Sequence, residues 1–391
     1  MAEAIGTCLL YWNLDQIFTV TVDNASSNDV TVRELSKQLN NWETNIMNGK
    51  HLHVRCMAHI LNLIVQEGLK EIDASVKRVR QMVRYVRSSS ARGAHFKKCC
   101  EVQKVECSKS LELDVPTRWN STYLMLDTAQ HFEKAFDRFD FFDENFKTYL
   151  ATHVCEDGSV AGPVACDDWA NVRNVVKFLE RFHELTVKVS GSHYVTSNVH
   201  FEDICELDVH LKVCLESEDV SLCIMAERMR QKFKKYWGDP EKMNKMIFIA
   251  SVLDPRKKFV YVNFGLEELF GEEVGKKVSE GVYDYMKSLF GEYLKNYSRE
   301  FHHKSSPSTS SSSQCSSDVS SNSDASLKKK ALRTKLDLKK QKEDSGCAGA
   351  KSELDRYISE DQELEDERVE FSILDWWKVN APRFPVLSEL A

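Results

Sequence analysis

The chain has 391 residues, of which 42% are hydrophobic, and its formal net charge is -7 at pH 7. This length allows two or three domains with a substantial core. No apolar run approaches the roughly 20 residues that span a bilayer, so we expect no membrane partner. The acidic balance excludes a protein that coats nucleic acid over its whole surface. Any DNA contact must therefore come from local basic patches.

The amino terminus and the cysteines indicate a reducing compartment. Residues 1–4 have no basic segment, and no signal-peptide pattern follows them. Without a secretion signal, the twelve cysteines are predicted to be free thiols rather than a disulfide framework. Residues 1–17 are predicted to form a helix, with Ala4, Cys8, Leu9 and Trp12 on one side.

A strand that ends on an acidic residue is the central feature of the sequence. Residues 18–23 alternate between apolar and polar side chains, which predicts a half-buried strand. Asp23 ends this strand, before a polar turn and a helix predicted from the spacing of Val32, Leu35 and Leu39. A carboxylate at a strand tip suits a divalent metal, because hard cations prefer oxygen ligands on a rigid frame. The alternative is that Asp23 only forms an Asx turn or caps the helix.

A second strand precedes another apolar helix. Residues 51–56 alternate in polarity, and His51, His53, Cys56 and His59 together suggest a zinc site. However, strand alternation directs Cys56 away from both His51 and His53. No Cys-x-x-Cys pair stands at zinc-finger spacing either, so the zinc interpretation is disfavoured.

The helix predicted over residues 69–87 carries an apolar stripe of valines and a parallel basic stripe. Lys77, Arg80, Arg84 and Arg87 form the basic stripe, about 100° round the helix from the valines. A basic stripe beside a buried one suits phosphate contacts, which attract by charge and release counterions. The alternative is a solvated helix face without a ligand.

Arg118 and Trp119 follow a strand predicted over residues 111–115. An aromatic ring beside a guanidinium can stack on a base and neutralise its phosphate. The alternative is a core tryptophan at a domain junction.

The remaining chain is predicted to be mainly helical. From residue 120 to about 303, apolar residues recur at helical spacing, apart from one extended segment predicted over 246–255. Residues 304–350 are rich in serine and then basic, so no fixed structure is expected there. The basic run within them is a candidate for nuclear import or nucleic-acid binding. Order resumes over residues 351–391, where a helix begins at Ile373 and ends before Pro382.

Four runs of residues resemble, in the same order, motifs of the hAT transposase superfamily and of the plant sleeper-type zinc finger BED proteins derived from it. These runs are residues 20–29, 53–63, 114–122 and 371–387. The resemblance implies an α/β plus all-α fold, in which an incomplete RNase H-like fold is interrupted by a large helical insertion domain.

The resemblance also implies a division into domains. They are a partial RNase H-like transposase core (1–119), a helical insertion domain (120–303), a disordered Ser-rich and basic linker (304–350) and the start of the hAT dimerisation region (351–391). On this comparison the chain is expected to lack the BED finger and the first catalytic aspartate, and to stop within the dimerisation region.

The family resemblance assigns roles to individual residues. Family members hold two metal ions with two aspartates and a glutamate, and Asp23 matches one of these acids. Cys56 and His59 match a Cys-x-x-His pair that lies near the catalytic pocket and helps to organise it around DNA; the alternative is a buried thiol and a satisfied histidine. Arg118 and Trp119 match an element that contacts the DNA end. Because only Asp23 of the three acids can be matched, we expect it to be vestigial and the protein not to be an enzyme. No cofactor is then required, and Mg²⁺ would be needed only if the protein were active.

The carboxy-terminal segment is expected to provide the anchors of a dimer interface. The candidate anchors are Leu374, Trp376, Trp377, Phe384, Pro385 and Leu387.

The function expected from the sequence is therefore that of a nuclear, transposase-derived protein that retains DNA binding and dimerisation. Its partners would be DNA and a second copy or a related hAT protein, without a small-molecule substrate. Two alternatives remain. The chain could be an active or partner-complemented transposase or nuclease that uses divalent metal, or it could be a purely structural interaction module.

Overall fold

Two short parallel strands and a long series of helices make up the structure, which is a computed structural model. It describes residues 1–14, 17–155, 157–191, 194, 196–303, 352–364 and 371–391. The backbone divides into two compact units. Unit 1 consists of residues 1–251 and 262–279, and unit 2 of residues 252–261 and 280–391. The predicted boundary between residues 119 and 120 stays a prediction, and the linker predicted over 304–350 lies outside the described residues.

The strands and helices follow one another in a simple order. The strands are β1 (Val20–Val22) and β2 (His53–Arg55). The helices up to residue 152 are α1 (Ala2–Tyr11), α2 (Ser26–Asn41), α3 (Met57–Leu69), α4 (Asp73–Arg87), α5 (Ser90–Val102), α6 (Trp119–Gln130), α7 (Glu133–Phe142) and α8 (Glu144–Thr152). Those after it are α9 (Asp168–Val189), α10 (His200–Leu215), α11 (Val220–Trp237), α12 (Lys245–Val252), α13 (Lys258–Phe270), α14 (Glu272–His303), α15 (Glu353–Ser359), α16 (Ile373–Asn380) and α17 (Leu387–Leu390).

A β-α-β unit contains the predicted acidic strand tip. β1 pairs with β2 in parallel, with Val20 opposite His53, and α2 connects them. The apolar face of α2 is fully buried against this pair, and Val32, Leu35 and Leu39 form its core. The predicted strand, polar turn and amphipathic helix are therefore confirmed. Burying the aliphatic side chains of α2 supplies the apolar area that holds two such short strands together.

The outer edge of β2 is closed by a side chain rather than by another strand. The Asn244 amide nitrogen donates to the carbonyl oxygens of His51 and His53, at 2.9 and 2.8 Å. Its carbonyl oxygen accepts a hydrogen bond from the Met246 amide and so caps α12. One asparagine thus satisfies a sheet edge and starts a helix, which fixes α12 beside the β-α-β unit.

The first helix is shorter than predicted and uses a different face. It ends at Tyr11, and Ala2, Ile5 and Leu9 pack against the α2 core. Ala4, Cys8 and Trp12 are exposed, so the predicted grouping of these residues with Leu9 is wrong. These packed residues are spaced i, i+3, i+7, so they lie on one face of α1, and this is the face that contacts the α2 core.

Unit 1 is otherwise built by helices packed on α3 and α4. α3 packs mainly on α11, which in turn packs on α10, and α6 packs on α9. The apolar stripe of α4 is buried as predicted, with Val76, Val79, Val83 and Val86 each under 5% exposed. Helix α3 is thus buried on the side that packs on α11, and its partly exposed side carries the polar residues described below.

Two extended segments predicted from the sequence are not strands. Residues 111–115 form an irregular segment, and the Leu111 carbonyl accepts a hydrogen bond from the Arg87 guanidinium at 2.7 Å. No strand lies beside this segment in the described chain. The Val115 amide bonds to the Ser121 hydroxyl instead, and the Val115 carbonyl accepts from the Arg118 amide, both at 2.8 Å. Most of the segment predicted as extended over 246–255 is α12, whose residues Phe248, Ile249 and Val252 are completely buried. A short apolar run cannot distinguish a buried strand from a buried helix.

In unit 2 the carboxy-terminal segment is hydrogen-bonded to residues 252–258. The Tyr357 hydroxyl donates to the Val252 carbonyl, and the Trp377 indole nitrogen donates to the Leu253 carbonyl, both at 2.9 Å. Buried Lys258 donates to the carbonyl oxygens of Tyr357, Glu360 and Asp361 at 2.9 to 3.0 Å. The ammonium group thus satisfies the carbonyls at the end of α15, where a cation is favourable.

Two expectations about the whole chain can be compared with the described residues. Each of the ten cysteines in these ranges is a free thiol, as predicted. Within the same ranges, no helix is long and apolar enough to cross a bilayer.

Candidate nucleic-acid interface

Asp23 lies exposed at the carboxyl end of β1, and its carboxylate organises the turn into α2. Its Oδ1 atom accepts hydrogen bonds from the Ala25 amide at 2.9 Å and from the Asn28 side chain at 2.7 Å. The Ala25 amide is the main cause of a lowered Asp23 pKa, and Asn28 and the nearby His59 act in the same direction against partial desolvation. Asp23 therefore stays ionised and forms the Asx turn that the sequence left open as an alternative.

A second polar network surrounds the end of β2. The Arg55 guanidinium donates to the Asn24 side-chain oxygen at 3.0 Å and lies 3.8 Å from the Asp29 carboxylate. Asp29 also lies 3.5 Å from His53 Nδ1. Burial is the main cause of the lowered His53 pKa, and Arg55 adds to it, so His53 is neutral at pH 7. Arg55 therefore provides a positive charge beside the Asp23 turn.

The residues around Asp23 do not fit the two-metal cage that the family resemblance implies. Such a cage needs several carboxylates converging on ions about 4 Å apart. Among the described residues, no group of three His, Cys, Asp or Glu side chains could hold a metal ion. This finding applies equally to the disfavoured zinc set of His51, His53, Cys56 and His59. The groups bonded to the Asp23 carboxylate are the Ala25 amide and the Asn28 side chain, and the nearby acid Asp29 is placed beside Arg55 and His53.

One face of α3 connects the strand tip with the segment that carries Arg118. His59, Asn62 and Gln66 are spaced by three and four residues, so they lie on the same side of the helix, along about 10 Å of its length. His59 is near Asp23 at one end. At the other end, Gln66 donates to the Pro116 carbonyl at 3.0 Å, and the Asn62 oxygen accepts from the Trp119 amide at 3.2 Å. All three side chains are partly exposed. We call these three residues the α3 polar face.

Cys56 and Arg118 lie at the two ends of this face. Cys56 is half-buried at the residue before α3, and its amide donates to the Val22 carbonyl at 2.9 Å. Arg118 is exposed at the residue before α6. The structure therefore brings Asp23, Cys56, His59 and Arg118 to one surface of unit 1.

Trp119 is in the core rather than on this surface. Its side chain is 2% exposed, and its ring lies 6.1 Å from the Tyr123 ring and 6.4 Å from the His183 ring. A ring enclosed in this way cannot stack on a base without leaving the core. The prediction of a stacking tryptophan is therefore corrected to the alternative, a core residue that anchors the start of α6.

The basic stripe of α4 is largely paired within the chain. Lys77 bonds to Asp73 and Asp157, which raise its pKa. Arg80 bonds to Asp114, and Arg87 to the Leu111 carbonyl. Arg84 lies with Lys77 and Arg80 along a cleft of about 260 Å³. Phosphate binding by the four residues stays a prediction, but the charges of Lys77 and Arg80 are already compensated by neighbouring carboxylates.

The candidate dimer anchors divide into internal and exposed residues. Trp377, Phe384 and Leu387 are at most 3% exposed, so the prediction that these three are interface anchors is corrected: their side chains are internal to unit 2. They pack within unit 2, where the Trp377 ring lies 5.1 Å from Tyr357 and 6.3 Å from Phe384. Trp376 and Pro385 are half-buried, and Leu374 is 56% exposed. Val379, which the sequence did not single out, is 76% exposed.

Several residues of the site were missed by sequence reasoning. Asn62, Gln66, Asn24 and Arg55 join the strand tip to the Arg118 segment, but no single one of them has a distinctive residue type. The spacing of His59, Asn62 and Gln66 on an otherwise apolar helix was the available signal, because it marks a polar stripe opposite the core.

The fold and site define a class: a mainly helical protein with a β-α-β unit and an acidic strand tip. Three family models match the chain in order. They are the ZBED1 RNase-like helical domain over residues 54–178, the hAT-like transposase RNase-H fold over 198–293, and the hAT family C-terminal dimerisation region over 353–391. The RNase-H-fold match thus lies within the segment that the sequence assigned to the helical insertion.

Several plant proteins are similar to this chain over its whole length. The chain is 29% identical to zinc finger BED domain-containing protein RICESLEEPER 2 of rice over 400 residues, 28% identical to a putative AC transposase of maize over 393, and 27% identical to DAYSLEEPER of Arabidopsis over 392. Each comparison covers 100% of this chain and 51%, 45% and 50% of the relative. The chain belongs to the hAT transposase family, and it spans about half the length of these relatives.

Proposed function

We propose that the protein binds DNA in the nucleus through the surface around the α3 polar face, self-associates through unit 2, and does not itself cut DNA. The α3 polar face carries the proposal, because it links the Asp23 turn to Arg118 in one continuous polar surface. Arg55 and Arg118 supply exposed positive charge at its ends. The relatives described as transposases and BED finger proteins support a nuclear DNA-binding role.

Retardation of a labelled duplex across a salt series tests the DNA-binding proposal on the full chain. A site that contacts phosphates loses affinity with increasing salt, with a slope of about -0.9 per contact in a log-log plot. The Arg118→Gln variant should lose about one phosphate contact, so its slope should be less steep by about 0.9. Arg173→Gln is the matched control, because Arg173 is half-exposed on α9 and pairs with Glu133. Absence of a shift at low salt would exclude DNA binding.

Self-association is proposed to use the exposed side of α16. Leu374 and Val379 are the exposed apolar residues of this helix, whereas the aromatic residues beside them pack internally. An apolar contact that excludes water is the usual centre of such an interface. The variants Leu374→Asp and Val379→Asp should lower the sedimentation mass of the full chain. Val187→Asp is the control, since Val187 is also 56% exposed, on α9. An unchanged mass in both test variants would exclude this surface.

The alternative function is cleavage of DNA with divalent metal, favoured by the position of Asp23 at a strand tip. A labelled DNA end incubated with Mg²⁺ or Mn²⁺ tests it directly. Cleavage that Asp23→Ala abolishes would replace the non-catalytic proposal. Inactivity with both ions, in a preparation that shifts DNA, would support that proposal.

A further inference from the structure

Asp114 is an internal carboxylate in an otherwise exposed irregular segment. Its side chain is 1% exposed, whereas Leu113 and Val115 on either side are 46% and 47% exposed. The Arg80 guanidinium donates to both Asp114 oxygens, at 2.7 to 3.0 Å, through Nε and Nη2. The buried Thr122 hydroxyl adds a further bond to Oδ2 at 2.8 Å. The segment is thus fixed at Asp114 by a bidentate ion pair with defined geometry.

The residues between Asp114 and α6 are fixed at several further points. The Ser121 hydroxyl accepts from the Val115 amide at 2.8 Å and lies within 3.0 Å of the Val115 and Arg118 carbonyls. The α3 polar face holds the Pro116 carbonyl and the Trp119 amide. Only the Arg118 side chain in this part of the segment is both charged and exposed. The geometry therefore presents one guanidinium from a backbone that is held on both sides.

We propose that Arg80 and Asp114 are positioning residues, which hold the Arg118 segment against α3 so that Arg118 contacts DNA. The inference rests on the proposed DNA-binding function and gives Arg80 a role different from phosphate binding. A buried ion pair contributes little net stability, because desolvation offsets the attraction between its charges. Its fixed bidentate geometry orients the bonded segments, and a lysine at position 80 could not reproduce it.

Removal of the Asp114 charge should change DNA affinity in opposite directions for two possible roles of this residue: a positioning role and a purely electrostatic one. Removing an acid near bound DNA should strengthen binding if Asp114 acts only through its charge. If Asp114 positions Arg118, the Asp114→Asn variant should weaken binding by about the same factor as Arg118→Gln, on the order of fivefold. The two changes should not add, because the double variant has no further contact to lose. Arg80→Lys should weaken binding as well, although it keeps the charge.

Salt-series binding and hydrogen exchange together test the inference. The amides of residues 113–115 and 117–119 should exchange faster in Asp114→Asn, and the amides of α9 should not change. If Asp114→Asn does not fold, Arg80→Lys and Thr122→Val test the same bonds. Two results would overturn the positioning role but leave the proposed DNA binding intact. In the first, the wild type binds DNA and the Asp114→Asn variant binds it more tightly; in the second, the amides of the 113–119 segment exchange at the same rate in both proteins. A wild-type chain that binds no DNA overturns the proposed function and this inference with it.

Discussion

The polar surface of unit 1 and the aromatic cluster of unit 2 both contain residues that the sequence singled out, but the two sets differ in exposure. Around the α3 polar face, Asp23 and Arg118 are exposed and the bonds between elements run through side-chain amides. In unit 2, Trp377 and Phe384 are enclosed by their own unit. Changes in the first region should therefore affect binding, and changes in the second should affect folding.

The carboxylates of Asp23 and Glu353 show the same difference between an exposed and a buried site. Hydrogen bonds from Ala25 and Asn28 lower the pKa of exposed Asp23. Burial raises the pKa of Glu353, whose carboxylate accepts from the Val386 and Leu387 amides at 2.8 to 3.4 Å. One carboxylate is thus stabilised in its charged form at the surface, whereas the other bears a desolvation cost in order to join α15 to α17.

The largest expected effect is in the aromatic cluster. Trp377→Ala should lower the free energy of unfolding of unit 2 by about 3–5 kcal/mol, because it removes a buried ring and leaves a cavity. Urea unfolding of the full chain followed by circular dichroism, with limited proteolysis of residues 352–391, would measure it. Leu374→Ala is the control on the same helix and should change stability by less than about 0.5 kcal/mol. Equal effects of the two substitutions would contradict an internal role for Trp377.

The next largest effect concerns Lys258. Lys258→Met removes a buried ammonium group that bonds to three carbonyl oxygens and lies 4.7 Å from the centre of the Tyr357 ring. Leaving these carbonyls without a charged donor should cost about 3 kcal/mol in the same urea experiment. Lys378→Met, an exposed change on α16, is the control. A stability equal to that of the wild type would show that the carbonyls find other donors.

A smaller effect should appear in the pH dependence of unit 2. The Glu353 pKa is raised on folding, so the folded state binds a proton more readily than the unfolded state in the window above pH 4.5. The Glu353 contribution to stability should therefore increase as the pH falls towards 4.5 and decrease as it rises through the raised pKa. Comparison of Glu353→Gln with the wild type at several pH values isolates this contribution. A difference that is constant with pH would contradict the raised pKa.

The smallest expected change in stability is in the α3 surface. Arg118→Gln should alter the free energy of unfolding by less than about 0.5 kcal/mol while it weakens DNA binding. Thermal melts of the same preparations used for the salt series would measure both quantities together. A large loss of stability would mean that Arg118, like Trp119, belongs to the core.

Local patterns predicted the elements that bear on the site, because they depend on neighbouring residues. The alternation up to Asp23 and the helical spacing of Val32, Leu35 and Leu39 both correspond to observed elements. The segment around Phe248 shows where such reasoning ends, since it forms a helix rather than the predicted extended segment. Trp119 and Trp377 show a second limit: a sequence match does not show whether an aromatic side chain is buried or exposed.

The sequence by itself determined the family, the acidic strand tip and the two stripes of α4, because each is a short-range pattern of residue types. Only the tertiary structure decided which charges are used internally. Arg80 bonds to Asp114 across 34 residues, and Lys258 bonds to Tyr357 across 99. The physical reason is that a charged side chain binds whichever opposite charge or carbonyl the packing brings within about 3 Å, and this packing is not a local property of the sequence.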